Sequence, residues 1–351
     1  MAFAATLGNW SRECVTPSKR GDCDASLFFL AFYFKFRIFI LTFHFSLHKL
    51  RDMINELKGI LLIDKPVGLT SNFVVTKVKK VLGAKKVGHA GTLDPFATGI
   101  LVILLGNYTR LAEYFLNLPK EYIAKIELGK TTNTYDIDGE ILSIKPTKHI
   151  DFTQVKNTIN SFVGEIEQVP PLYSAIKIRG KRAYELARKG KELDLPPRKV
   201  NIYKIEILKF DNPYIEISVT CSAGTYIRSL ANDIGKKLGC GAYVKELRRT
   251  KIDNFNIYDA ISLKEMQVLV QKKKIKQFFI NPLTIFKDID KYVVTDQKDL
   301  LLVKNGNTLK KEVDLKGEEV LIVDDRNQLL AIANVEKKNE FNYIKPVKVL
   351  I

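Results

Sequence analysis

The order of its apolar patterns constrains this chain most. Short strands and amphipathic helices follow one another without the strict βαβ alternation that builds a parallel sheet. An α+β fold is therefore expected, with a mixed, largely antiparallel sheet flanked by helices. Residues 59–64 (GILLID) and 100–105 read as buried apolar strands, and 121–128 as a third. Over 70–82, Val74, Val75, Val78 and Val81 share one helical face. A helix near 111–115 follows the second strand, and 153–163 reads as a helix opened by its own Thr153 cap and stopped at Gly164. Ile215, Ile217, Val219 and Cys221 alternate with polar neighbours, the period of a half-buried strand. Residues 226–238 form a helix ending at Gly239, and another lies near 263–270. Asn281-Pro282 marks a linker, after which the chain turns strand-rich, notably at 320–323 and 329–335.

Charge narrows the partner. The 351 residues carry 56 Lys+Arg against 39 Asp+Glu, a formal +17, which implies an anionic partner such as nucleic acid or an acidic membrane face. Residues 1–52 hold seven basic and four acidic residues, and 290–351 hold eleven of each. The excess therefore lies between them, densest over 174–200, where nine basic residues meet three acidic ones. A charge run by itself is most often a solvated face. Composition excludes other classes: 46% hydrophobic and 27% charged residues are incompatible with disorder throughout or a collagen-like rod. Four Cys without a CxxC make neither a disulfide framework nor a zinc ribbon.

The first fifty residues read differently. Residues 27–47 (LFFLAFYFKFRIFILTFHFSL) almost reach the roughly 20 residues a membrane helix needs. Lys35, Arg37 and His44 interrupt them, and a central Lys or Arg costs about 2.5–3.5 kcal/mol on insertion. No small-residue cleavage site follows, so a signal peptide fits poorly. Residues 1–52 are read as an extension outside the fold, with Met53 as the working start. A membrane or targeting segment is the alternative, and no stable membrane association is expected.

The chemistry concentrates in residues 88–99, GHAGTLDPFATG. Three glycines and a proline in twelve residues make a shaped loop rather than a regular element. Asp94 precedes Pro95, which biases its backbone away from the helical region and projects its carboxylate from an extended turn. Such a carboxylate could be a general base or a nucleophile, although an isolated Asp-Pro more often caps a turn.

Four segments in order, GILLIDKPVGLTS (59–71), GHAGTLDPFATG (88–99), KEYIAKIELG (120–129) and CSAGTYIRSLANDIG (221–235), closely resemble the TruB-type tRNA pseudouridine synthases. The resemblance covers about 59–261, extends more weakly to a small C-terminal PUA-like domain, and leaves out residues 1–52. It implies the pseudouridine synthase fold and the isomerisation of uridine-55 in the tRNA T-loop. It also implies a catalytic domain over 53–282 and a β-rich PUA-like RNA-binding domain over 283–351 that grips the acceptor end.

The resemblance also implies site residues. Asp94 matches the catalytic aspartate, attacking C6 of the base or C1′ of the sugar. Arg228 matches the arginine that pairs with it, and Tyr122 the tyrosine that stacks on the flipped uracil and helps remove the C5 proton. Tyr226 and Leu247 match pocket-lining residues, Asp136 an acidic residue that touches the nucleotide, and His89 a histidine close to the inserted RNA loop. Thr132-Asn133-Thr134 stands where the family often has Thr-Asp-Thr. Lys65, in the Lys-Pro pair, supports the catalytic loop and is grouped with the substrate-binding residues. The basic stretch falls where stand-alone members carry a thumb-like insertion (about 174–200), which assigns RNA contacts to Arg179, Lys181, Arg182, Tyr184, Arg188 and Lys189. That insertion argues against the guide-RNA-dependent, dyskerin-like relatives.

No metal or cofactor is expected, since no HExxH, P-loop or dinucleotide fingerprint is present and the isomerisation is redox-neutral. A cytoplasmic monomer acting on tRNA is the leading reading. The competing one is a tRNA-binding or tRNA-folding factor, in which binding rather than turnover matters.

Overall fold

A computed structural model of the chain describes residues 57–174, 195–338 and 341–351, with the backbone alone at 177–178 and 181–182. Expectations for residues 1–52 lie outside the described residues. The catalytic region opens with β1 (Gly59–Lys65), α1 (Ser71–Leu82), β2 (Val87–Ala90), β3 (Thr98–Leu105), α2 (Ala112–Asn117) and β4 (Lys120–Leu128). It continues through α3 (Phe152–Asn160), β5 (Gly164–Gln168), β6 (Arg198–Asp211), β7 (Tyr214–Cys221), α4 (Ile227–Lys237), β8 (Ala242–Ile252) and α5 (Leu263–Gln271). The large sheet runs from the short strand Ile261–Ser262 through β1, β3, β8, β4, β7 and β6 to β5, with β2 paired to β3. Its strands pair antiparallel except where Ile261–Ser262 meets β1 and where β8 meets β3. The fold is α+β with a mixed sheet, as the irregular order of patterns implies.

Alternation along the strands sorts the core into two faces. Ile60, Leu62, Ile100, Val102 and Leu104 point one way. Leu61, Ile63, Leu101, Ile103 and Leu105 point the other, under α1 and α5. All are at most 1% exposed, and burying each such side chain contributes roughly 1.5–3 kcal/mol. Local signals set the ends. Thr70 caps α1 by accepting from the Phe73 amide, and Gly83 closes it in the left-handed region. α3 departs from the sequence reading: it starts at Phe152, because Asp151 and Gln154 form a reciprocal capping box ahead of Thr153.

The C-terminal strands β9 (Lys291–Val293), β10 (Leu309–Lys311), β11 (Glu319–Val323), β12 (Leu329–Lys338) and β13 (Phe341–Val349) form a second sheet in the order β9-β11-β12-β13-β10. The helix α6 (Gln297–Lys304) packs beside it. This module is not hung on an open linker. After Asn281, a short 3-10 turn (Pro282–Ile285) buries Leu283 and Ile285. Leu321, Val323, Leu329 and Ile332 join Ile60, Leu62 and Val102 in one apolar cluster.

Candidate active site

The loop between β2 and β3 is bolted from below. Ser71 at the start of α1 both donates to the Leu93 carbonyl (3.0 Å) and accepts from the Leu93 amide (2.9 Å). The Pro95 carbonyl accepts from the Gly68 amide at 2.8 Å and from Lys65 Nζ at 3.2 Å. Asp94 does not cap its own turn with its side chain. Its carboxylate reaches α4 instead, where Arg228 places Nε 3.0 Å from Oδ2 and donates through Nη2 to Oδ1 at 3.3 Å. The Arg228 side chain is 4% exposed and that of Asp94 34%. The carboxylate thus faces the cleft while its cation stays dry.

Arg228 is itself fixed on all sides. Nη1 donates to Asp136 Oδ2 at 2.9 Å and to the Thr134 carbonyl at 3.1 Å, and Nη2 to the Tyr173 carbonyl at 2.9 Å. A planar, permanently charged fork suits this arrangement, and a lysine could not replace it. Burial pushes the Asp94 carboxyl up, Arg228 pulls it down, and the Asp136 carboxylate pushes it up again, with a net rise.

The cleft above holds about 270 Å³ and is lined by Asp94, Tyr122, Tyr226, Arg228, Leu247 and Arg249 among others. Tyr122 projects from β4 opposite Arg249 of β8, and Leu247 pairs with Ala124 two residues along the same strands. Tyr226 ends the approach to α4, its amide donating to Gln168 Oε1 (2.7 Å) while Gln168 Nε2 donates to its carbonyl (3.0 Å). A carboxylate beside a fixed guanidinium, a flat aromatic wall and an apolar side chain can take a planar base out of its stack and attack it.

Similarity to known proteins follows the same lines. The TruB family pseudouridylate synthase N-terminal domain matches residues 79–227, and the tRNA pseudouridylate synthase B C-terminal domain matches 228–285. The tRNA pseudouridine synthase B of Clostridium tetani is 43% identical over 300 residues, spanning 84% of this chain and all of that protein. The chain belongs to the TruB family. The Aquifex aeolicus tRNA pseudouridine synthase B is 42% identical over 262 residues, covering 74% of this chain and 90% of that one. Among solved structures, a chain of a Cbf5–Nop10–Gar1 complex superposes with a TM-score of 0.64 at 27% identity, covering 86% of this chain and 87% of its own.

Against the TruB resemblance, the geometry brings Asp94, Tyr122, Tyr226, Arg228 and Leu247 to one cleft. Two residues grouped with substrate binding lie outside the lining of the cleft. Lys65 is fully buried, its ammonium donating to the Pro66, Leu69 and Pro95 carbonyls, so it ties the loop to β1. Asp136 is 4% exposed, and its oxygens are taken by Thr134, the Asp138 amide and Arg228. It holds Arg228 on the side away from Asp94 through Nη1. His89 sits half-buried in β2, outside the lining of the cleft. Lys181 and Arg182 lie in a short strand paired with Lys177–Ile178. Their side chains, and all of Arg179, Tyr184, Arg188 and Lys189, fall outside the described residues.

One residue of the site escapes a sequence reading. Arg249 is 2% exposed beneath the Asp94 loop, donating to the Ile100 carbonyl at 2.8 and 2.6 Å and to the Gly91 carbonyl at 2.9 Å. It explains two of the loop's glycines. A Cβ on Gly91 (φ +84°) would stand 3.2 Å from Arg249 Nη1, and one on Gly99 (φ +102°) would strike the Arg249 backbone. The available signal is period 2: Arg249 shares a strand face with Leu247.

Proposed function

We propose that this TruB-family chain isomerises uridine-55 in the tRNA T-loop to pseudouridine, with Asp94 as nucleophile. What carries the reading is a partly exposed Asp94 carboxylate ion-paired to a dry arginine at the mouth of a base-sized cleft. The relatives named tRNA pseudouridine synthase B, matched along their whole length or nearly so, support tRNA as the substrate.

The uridine leaves its stack and lies on Tyr122 against Leu247. Asp94 attacks C6 or C1′, the N1–C1′ bond breaks, and the uracil turns in place. A C5–C1′ bond forms, the bond to Asp94 breaks and returns its carboxylate, the C5 proton leaves, and N1 gains one, so atoms and oxidation state balance. Burial pushes the Tyr122 phenol up, so it meets the base as a neutral hydroxyl. It can take the C5 proton only by passing on its own. The basic insertion covers the T-loop, and the C-terminal module holds the acceptor end. The protein works as a monomer, and its higher identity to a protein named tRNA pseudouridine synthase B than to the Cbf5 chain favours action without guide RNA. Mapping pseudouridine in tRNA from cells lacking the protein tests the site. Loss confined to position 55 is expected, and an unchanged map would reject the proposal.

A further inference from the structure

Two lysine runs far apart in sequence converge at the end of β1 away from Asp94. Lys79 and Lys80 close α1, and Lys85 and Lys86 lead into β2. Lys272, Lys273, Lys274 and Lys276 follow α5. All eight are exposed. The helices that deliver them pack together through Val74, Val78, Met266 and Ile275. α1 and α5 both begin near the Lys65 end of β1 and run back toward its start, since Ile261–Ser262 pairs parallel with Ile63 and Asp64. Both runs are then pinned to the same edge. The Lys86 carbonyl accepts from the Gly106 amide at 2.9 Å, and Val87 and Gly59 flank Leu105. Three residues after Lys276, Phe279 packs on Gly59, and the Ile280 amide donates to the Ile60 carbonyl at 2.9 Å.

Among the described residues the charge of this edge has no carboxylate partner. No Asp or Glu occurs between Lys65 and Leu93, or from Met266 to Phe278. None of the eight takes part in an ion pair among the described residues, whereas Lys287, Lys311 and Lys348 each hold a carboxylate. A merely solvated lysine face would be expected to carry interspersed acids. The edge stands seven strand residues from the catalytic loop, roughly 20 Å at about 3.3 Å each. It lies on the α1/α5 face of the sheet, opposite the face that carries the C-terminal module.

We propose that this edge is a second RNA-backbone surface, binding phosphates of the same tRNA molecule at a distance from the nucleotide in the cleft. The inference rests on the tRNA reading above. Lysines supply point charges without base readout, so the contact would add affinity and salt dependence but no sequence preference.

The test compares intact tRNA with an isolated T-arm hairpin, using the full chain and a K272Q/K273Q/K274Q/K276Q variant. These side chains are exposed and outside the cleft, so turnover of the hairpin should be unchanged, which also checks folding. Failure of the unaltered protein to convert the hairpin would count against the functional reading rather than this one. Affinity of the variant for intact tRNA should fall about tenfold at low salt, and its salt slope should drop by roughly two to three, at about 0.9 per lost phosphate contact. Hairpin affinity should stay the same. Equal weakening of both RNAs, or an unmoved tRNA isotherm, overturns the proposal. So does an unmoved tRNA isotherm with lost binding to phosphatidylserine vesicles, which would assign the face to lipid.

Discussion

At the residue scale, Asp94 does its work against the interest of the fold. Its carboxyl is raised chiefly by burial, so the folded protein holds that proton more tightly than the unfolded chain does. Above the unfolded value near 3.9, the ionised group therefore costs stability, increasingly until the pH passes the folded value. Asp94→Asn removes this cost and leaves Arg228 still paired with Asp136. Thermal melts should show the variant at least as stable as the parent at pH 7, with the difference closing toward pH 4. A variant clearly less stable at pH 7 would mean that Asp94 holds the fold together. The importance of Asp94 was legible from the loop around it. The resemblance supplied Arg228 as its partner, but the rest of the buried network was not legible, because an arginine in a strand or on an amphipathic helix reads by itself as a wet-face residue. Arg228 and Arg249 are dry only because Asp136 and the carbonyls of Ile100 and Gly91 come from distant segments.

At the element scale, local chemistry decided most boundaries and tertiary context the rest. Helix α1 was readable over 70–82 from its valine stripe, and the structure adds the Thr70 cap and the Gly83 stop. The start of α3 was misplaced because two candidate caps stand two residues apart, and the reciprocal Asp151–Gln154 pair outcompetes Thr153. Asp151→Ala should thus destabilise by about 1 kcal/mol and Thr153→Ala by much less, read from denaturant midpoints at equal slope. The reverse order would show that the helix starts at Thr153 in solution. Gln168 shows what periodicity cannot reveal. It ends a half-exposed edge strand, yet it is fully buried because it pairs with both backbone groups of Tyr226.

At the scale of the whole molecule, the two sheets share a core. The sequence shows a turn at Asn281-Pro282 and a change to strand-rich patterning, which reads as a tether between modules. It cannot show that the strands beyond it cover Ile60, Leu62 and Val102. Ending the chain at Ile285 would uncover that apolar face, so the fragment should lose its cooperative melt or aggregate. A soluble fragment with the parent's melting temperature would show that the module only rests on the surface. The basic character is likewise a property of the assembled molecule, since lysines nearly two hundred positions apart meet at one edge.

On the proposed mechanism, Asp94 turns a buried electrostatic network into an attack on uridine. Release of tritium from C5-labelled uridine in a T-arm hairpin measures this directly. The parent protein should release one equivalent per target uridine, and Asp94→Asn none, while both bind the hairpin alike. Continued release by Asp94→Asn would contradict the account.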